Sequence, residues 1–172
     1  MVKQMLGKDK REVLMSIWNV LDFNGNGKVS LAEIDRMVVM FQDMDCYDNF
    51  FKGMNNKPAL MRAYKATITG EQSDGDDWVS KREFPILLRN LYMFNRLWRI
   101  FDEIDTGDDR RIDLNEFKAG MAKLGNFLEE ENAATEFAKI DTNGGGQVLF
   151  DEFCAYLVEI LECKDDQIAD MS

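Results

Sequence analysis

The chain contains the segment Asp22-Phe23-Asn24-Gly25-Asn26-Gly27-Lys28-Val29-Ser30-Leu31-Ala32-Glu33. Its oxygen-bearing side chains stand at positions 1, 3, 5, 9 and 12 of the segment, and a glycine stands at position 6. A calcium ion takes about six to eight oxygen ligands, glycine permits the left-handed turn, and a glutamate at position 12 supplies two oxygens at once. The spacing therefore predicts a calcium-binding loop between two helices.

Every ligand position of this loop is filled. The predicted metal ligands are the side chains of Asp22, Asn24, Asn26, Ser30 and Glu33 and the backbone carbonyl of Lys28. A set with two carboxylates is typical of sensor-range affinity, on the order of 10⁻⁷ to 10⁻⁵ M, because the charge of the ligands tunes calcium binding.

The same frame recurs at 72–83, 105–116 and 141–152, and we call the four windows loops one to four. All four end in glutamate at position 12, and an apolar residue follows it. Each also has a β-branched residue at position 8, and these residues are Val29, Val79, Ile112 and Val148. Such residues in neighbouring loops can pair as a short antiparallel ladder. Both regularities indicate a repeated structural unit.

Loop three is rich in charge but incomplete. Its candidate metal ligands are Asp105, Asp109, the carbonyl of Arg111, Asp113 and Glu116. Gly107 offers no side-chain oxygen at position 3, and Arg110 replaces the glycine of position 6. A left-handed conformation at a residue other than glycine costs on the order of 1 kcal/mol. Ion binding and an empty loop both remain open.

Loop four keeps fewer side-chain ligands. Its candidates are Asp141, Asn143, the carbonyl of Gln147 and Glu152, with Gly146 at the turn. Gly145 and Leu149 remove the oxygens of positions 5 and 9, so that water would have to supply them. The sequence leaves the occupancy of this loop open as well.

Loop two departs furthest from the pattern. Gln72 is neutral at position 1, and Asp77 takes the place of the glycine at position 6. The oxygens that remain belong to Asp74, Asp76, the carbonyl of Trp78, Ser80 and Glu83. Because the anchoring first carboxylate is missing, we expect loop two to be a structural partner of loop one.

Apolar residues recur at helical spacing on both sides of the loops, as with Ile17, Trp18 and Leu21 before loop one. The sequence predicts a mostly α protein of four helix–loop–helix units in two paired lobes, with short β pairing between loops. The expected divisions are an N-terminal pair over 1–90, a C-terminal pair over 91–163 and a frayed acidic tail over 164–172. Between loops one and two, we expect an irregular connection and Pro58 in the first turn of the next helix.

Composition excludes several classes of function. Of 172 residues, 32 are acidic and 21 are basic, and the net charge of −11 argues against a nucleic-acid partner. The absence of histidine removes imidazole bases and His-ligated zinc. Cys46, Cys154 and Cys163 have no paired spacing and indicate reduced thiols in a cytoplasmic compartment.

An enzyme is the remaining alternative of a different class. The acidic clusters Asp74–Asp77 and Glu129–Glu131 could supply paired acid and base carboxylates. Solvated charge on loops and at a helix start explains them more simply. We therefore expect a protein that is not an enzyme.

On these loops the chain resembles the EF-hand superfamily, and within it the calflagins, the flagellar calcium-binding proteins of trypanosomatids. The shared features are the long gap between loops one and two, the poor second loop, and the segments FDEID and AKIDTNG before loops three and four. The resemblance implies Ca²⁺ as cofactor, a flagellar location and an acylated N-terminus. Because Met1-Val2-Lys3 lacks the acylation pattern, membrane association is expected only if such a signal lies upstream.

Sensor and buffer are both open interpretations. The chain has 11 methionines, and a sensor uses such soft side chains to bind target helices once its loops fill. Those in or near predicted helices are Met37, Met40, Met44, Met54, Met61, Met93 and Met121. They favour a sensor that binds a basic amphipathic segment of a protein target. The alternative is a cytosolic buffer similar to the sarcoplasmic calcium-binding proteins, with methionines that fill the core.

Overall fold

A computed structural model of the chain describes residues 10–42, 44, 50–124 and 132–169. The described elements are, in chain order, α1 (Lys10–Leu21), β1 (Lys28–Val29), α2 (Leu31–Phe41), α3 (Lys57–Thr69), β2 (Val79–Ser80), α4 (Phe84–Ile104), β3 (Arg111–Asp113), α5 (Leu114–Leu124), α6 (Ala133–Ile140), β4 (Gln147–Leu149) and α7 (Phe150–Ala169). The predicted fold class, mostly α with short strands in the loops, is confirmed.

The strands join the loops in pairs. β1 pairs antiparallel with β2, and Val29 lies opposite Val79. β3 pairs antiparallel with β4, and Ile112 lies opposite Val148. All four of these side chains have no exposed surface, which suits β-branched residues in a ladder. The pairing predicted from position 8 is confirmed.

The chain forms two compact units, residues 1–95 and 96–172, and the division falls within α4. In unit one, the ring of Trp18 on α1 meets the edge of Phe84 with centroids 5.4 Å apart. In unit two, Phe101 packs edge-on against Phe153 at 5.4 Å. Aromatic pairs of this geometry add to the burial of apolar surface.

The helix that enters loop two begins as the sequence predicted. Pro58 lies in the first turn of α3, where a missing N–H costs nothing. Asn56 caps the helix by accepting a hydrogen bond from the N–H of Ala59 at 2.9 Å. Residues 43 and 45–49 of the expected connection, with Cys46, lie outside the described residues.

The expectation of a frayed end was wrong for the first part of the tail. Helix α7 continues through 164–169, whereas 170–172 lie outside the described residues. Residues 161–169 contain neither glycine nor proline, so no local signal ends the helix there.

Cys154 is buried and forms no disulfide among the described residues. None of the described helices combines the length and the apolar composition that a bilayer crossing requires.

Gly120 on α5 allows a close approach between two helices of unit two. A Cβ atom at Gly120 would lie 2.7 Å from Cγ1 of Ile104 on α4. We expect Gly120→Ala to lower the free energy of unfolding by about 1–3 kcal/mol, although the same change usually stabilises an exposed helix. Urea unfolding would measure the loss. Ile104→Ala should compensate in part, and an unchanged or increased stability of Gly120→Ala would contradict this packing.

Candidate metal centres

Loop one turns on two glycines at positions 4 and 6. Gly25 has φ +68° and Gly27 has φ +77°, and both would strain any other residue. The N–H of Gly27 donates to Oδ2 of Asp22 at 3.0 Å. The N–H of Asn26 donates to Oδ1 of Asn24 at 2.9 Å. These bonds draw the side chains of positions 1 and 3 toward the backbone of the turn.

Glu33 links loop one to the start of α2. Its Oε2 accepts hydrogen bonds from the N–H and from the hydroxyl of Ser30, both at 2.8 Å. The Ser30 hydroxyl in turn accepts from the N–H of Glu33, which completes a capping box. Among the described residues, the other oxygen, Oε1, accepts only from the side-chain amide of Asn24, at 3.5 Å. Half of this carboxylate is therefore weakly held.

Loop one also holds an unsatisfied oxygen. Oδ1 of Asp22 is buried and has no hydrogen-bond partner among the described residues. A buried acceptor left unpaired costs about 1–3 kcal/mol, and more when it is charged. A divalent cation would satisfy both this oxygen and the weakly held Oε1 of Glu33. The residues predicted from the sequence thus fit calcium in loop one.

Loop three holds its carboxylates more tightly. Asp105 is 8% exposed, and its Oδ2 accepts from the N–H of Arg110 at 2.7 Å. Arg110 has φ +65°, so the left-handed turn predicted at position 6 is present without glycine. Glu116 accepts from the N–H of Gly107 at 2.8 Å and from that of Asp113 at 3.0 Å. Both of its oxygens are therefore engaged by the backbone.

The backbone at position 3 of loop three lies close to the side chain of Glu116. A Cβ atom at Gly107 would lie 3.2 Å from Oε1 of Glu116. The backbone of Gly107 approaches the carboxylate at the place where other loops carry an oxygen ligand. The candidate ligand Asp109 accepts from the N–H of Arg111 at 2.9 Å.

Loop four is closed in the same way. Asp141 accepts from the N–H of Gly145 at 3.0 Å and from that of Gly146 at 2.8 Å. Glu152 accepts from the side-chain amide of Asn143 at 2.7 Å and from the N–H of Leu149 at 3.0 Å. Asp141, Asn143 and Glu152 therefore lie together, and all three are already hydrogen-bonded.

Side-chain cations pair with two of the four carboxylates of loop two. Asp74 forms an ion pair with Arg82, and Asp76 lies 2.5 Å from the ammonium of Lys28 in loop one. The hydrogen bond with Lys28 lowers the pKa of Asp76, and the hydrogen bond with Asp76 raises the pKa of Lys28. Loop two thus has the counter-charges that a metal ion would otherwise supply.

The backbone of loop two differs from that of the other three. Gly75 at position 4 has φ +77°, but Asp77 at position 6 does not have a positive φ. The carbonyl of Asp77 accepts a hydrogen bond from the hydroxyl of Tyr64 on α3. Two other candidate ligands, Ser80 and Asp74, are linked to Glu83. The Ser80 hydroxyl lies within hydrogen-bond distance of both carboxylates, 2.8 Å from that of Glu83 and 2.7 Å from that of Asp74.

Across 10–42, 44, 50–124 and 132–169, no three Asp, Glu or Cys side chains form a group that could hold a metal ion. The candidate sites instead combine carboxylates with amide, hydroxyl and carbonyl oxygens, as calcium allows. Of the acidic clusters considered for catalysis, Asp74 and Asp76 are ion-paired, whereas Glu129–Glu131 lies outside the described residues.

Comparisons with known proteins find relatives of this chain. A family model described as an EF-hand domain pair matches residues 94–158. The chain is 30% identical over 149 residues to the flagellar calcium-binding protein TB-17 of Trypanosoma brucei brucei, which covers 84% of this chain and 62% of that protein. The chain is 27% identical over 160 residues to a flagellar calcium-binding protein of Trypanosoma cruzi, with 90% and 75% covered.

Residues 94–158 thus match an EF-hand domain pair, and the chain is similar over most of its length to flagellar calcium-binding proteins of trypanosomes. It spans less than two thirds of the length of TB-17. Among solved structures, a homolog of programmed cell death 6 protein from Leishmania major Friedlin matches with a TM-score of 0.46 and 16% identity, over 88% of this chain and 78% of that one.

Glu83 gives loop two a dependence on pH. Burial raises its pKa, but the hydrogen bonds from the N–H groups of Ser80 and Asp74 and from the Ser80 and Ser73 hydroxyls outweigh burial, so the pKa lies below the ordinary 4.5. The ionised form therefore stabilises the fold above pH 4.5, and this contribution is lost as the pH falls through the lowered native pKa.

We expect Glu83→Gln to lower the free energy of unfolding at pH 7 by about 1–2 kcal/mol and to reduce the loss of stability on acidification. Urea unfolding at several pH values would measure both effects. Glu71→Gln, at an exposed residue of the same unit, is the matched control and should behave as the parent protein. An identical pH profile in Glu83→Gln would contradict the role of this carboxylate.

Proposed function

We propose that the protein is a calcium sensor whose N-terminal ion site is loop one. The main support is in loop one, where Oδ1 of Asp22 is buried without a hydrogen-bond partner among the described residues and Oε1 of Glu33 is weakly held. The full ligand set is Asp22, Asn24, Asn26, the Lys28 carbonyl, Ser30 and Glu33. Relatives named as flagellar calcium-binding proteins support calcium as the ion.

The other loops receive different roles in this proposal. Loops three and four are further calcium sites, where the ion replaces the hydrogen bonds that now hold Glu116 and Glu152. Loop two is an ion-free partner of loop one, because Lys28 and Arg82 already neutralise Asp76 and Asp74. No catalytic activity is proposed.

Calcium binding at loop one would act directly on the start of helix α2, because Glu33 is both a proposed ligand and part of its capping box. Oε2 of Glu33 already accepts two hydrogen bonds, from the N–H and from the hydroxyl of Ser30, so bidentate coordination of calcium by Glu33 requires it to give up at least one of them. That capping box defines the first turn of α2, so ion binding must rearrange the start of the helix. A buffer needs no such link, whereas a sensor depends on one.

An apolar cavity lies beside the same carboxylate. Its volume is about 190 Å³, and it is lined by Val20, Leu21, Phe23, Glu33, Arg36, Met37 and Met40. Phe23 is 81% exposed and Met40 is 46% exposed, although large apolar side chains are usually covered. Since Glu33 is part of the cavity wall, movement of Glu33 changes the shape of the cavity. We propose that calcium widens this cavity into a docking groove.

Some methionines are buried, as a calcium buffer would allow, and others are exposed, as a calcium sensor would need. Met37 and Met54 are buried, at 2% and 5% exposed, and serve the core. Met40, Met44 and Met61 are 46%, 50% and 60% exposed. Three exposed methionines in unit one are available to a target, which favours the sensor over the buffer.

The net charge of −11 suits a basic partner. We propose that the target is a protein segment with a basic and an apolar face, whose apolar side chains enter the cavity next to Met40. By analogy with its relatives, whose names place them in the flagellum, we propose a flagellar location.

An apolar-dye titration separates sensor from buffer. We expect calcium to increase dye fluorescence severalfold in the parent protein, because the cavity beside Glu33 opens. Glu33→Gln removes one carboxylate oxygen and should abolish most of the increase. Glu83→Gln, the same change at position 12 of the neighbouring loop, should leave it intact. Calorimetry showing calcium binding without any dye response would contradict the sensor and favour the buffer.

A further inference from the structure

The side chain of Lys28 crosses from loop one to loop two. Lys28 occupies position 7 of loop one, where its carbonyl is a proposed calcium ligand. Its ammonium lies 2.5 Å from Oδ2 of Asp76, 48 positions further along the chain. The register of the strands, with Lys28 opposite Ser80, holds the two backbones side by side. One residue therefore contributes to the proposed ion site and to the partner loop.

Asp76 passes the contact on to the backbone of loop two. Its second oxygen, Oδ1, accepts a hydrogen bond from the N–H of Trp78 at 2.9 Å. The carboxylate is thus shared between a side chain of loop one and an amide of loop two. A shift of the Lys28 backbone toward an ion would change the position or the charge balance of Asp76, and the amide of Trp78 would register the change.

The other unit has the same crossing without the charge pair. Arg111, at position 7 of loop three, donates from Nη1 to the neutral Oε1 of Gln147 in loop four at 2.9 Å. Asp141 and Glu152 of loop four form no ion pair with Lys or Arg among the described residues. The cation at position 7 of the leading loop therefore contacts an acid in unit one and a neutral amide in unit two.

We propose that the Lys28–Asp76 ion pair couples calcium binding in loop one to the conformation of loop two. Loop two then senses the occupancy of loop one without holding an ion. In this role Lys28 and Asp76 are positioning residues, and the inference rests on the proposed calcium site in loop one.

The ion pair also sets the charge near the proposed ion. Asp76 compensates the ammonium of Lys28, which otherwise would repel a divalent cation in the same loop. Asp76→Asn should therefore weaken calcium binding at loop one by about two- to fivefold, the range expected for an exposed charge pair. The double variant Lys28→Met with Asp76→Asn removes both charges and should restore most of the affinity.

Amide NMR of the full chain during a calcium titration tests the coupling. The Gly27 amide, which donates to Asp22, reports occupancy of loop one, and the Trp78 amide reports loop two. In the parent protein, the two signals should shift with the same midpoint. In Lys28→Met, the Gly27 shift should persist while the Trp78 shift falls by half or more. Lys28→Arg should keep the Trp78 shift, since it conserves the charge.

Lys81→Met is the matched control, because Lys81 is an exposed cation of loop two that forms no ion pair among the described residues. It should behave as the parent protein. If Lys28→Met does not fold, Asp76→Asn tests the same contact from the other side. An undiminished Trp78 shift in either variant would overturn the proposed role of the ion pair. The change would then pass from loop one to loop two through the paired strands instead. A Gly27 amide that ignores calcium would overturn the proposed site itself.

Discussion

In each loop, the carboxylate at position 12 closes the loop onto position 9, and in loops one, three and four that residue directly precedes the next helix. Its Oε2 accepts from the N–H of position 9 at 2.8 Å in loops one and two and at 3.0 Å in loops three and four. A calcium ion would need the same oxygens, so metal binding and helix capping compete for one side chain. This competition makes an ion site into a control of helix position, and it is what separates a sensor from a passive store of calcium.

The loops differ in how completely this carboxylate is satisfied without a metal. Glu83, Glu116 and Glu152 each accept from the N–H of position 3 as well, at 2.8, 2.8 and 3.2 Å. Glu33 has a side-chain amide at 3.5 Å instead, and Asp22 adds a buried oxygen without a partner. Loop one therefore has the most to gain from an ion. Loop two would gain least from an ion, because Arg82 and Lys28 already form ion pairs with Asp74 and Asp76.

Much of this could be predicted from the sequence, because local spacing encodes it. The β-branched residue at position 8 predicted the pairing of both pairs of strands, which is confirmed, whereas the calcium site predicted from the oxygens of Asp22 to Glu33 stays a prediction. The ion pair of Lys28 with Asp76 could not be predicted, since it joins residues 48 positions apart through tertiary structure. The close approach of Gly107 to the Glu116 carboxylate likewise depends on where that carboxylate lies in the folded loop. A frayed tail was predicted from its acidic residues, whereas the helix continues to Ala169 because no glycine or proline ends it.

A crystal structure of the full chain grown with calcium would show directly whether loop one binds the ion through Asp22 and Glu33. We expect an ion in loop one with Oδ1 of Asp22 and both oxygens of Glu33 at about 2.3–2.6 Å. The N–H of Ser30 should then no longer donate to Glu33. Loop two should be free of metal, with Lys28 still near Asp76. A saturated crystal in which loop one is empty and Glu33 remains on Ser30 would contradict the account.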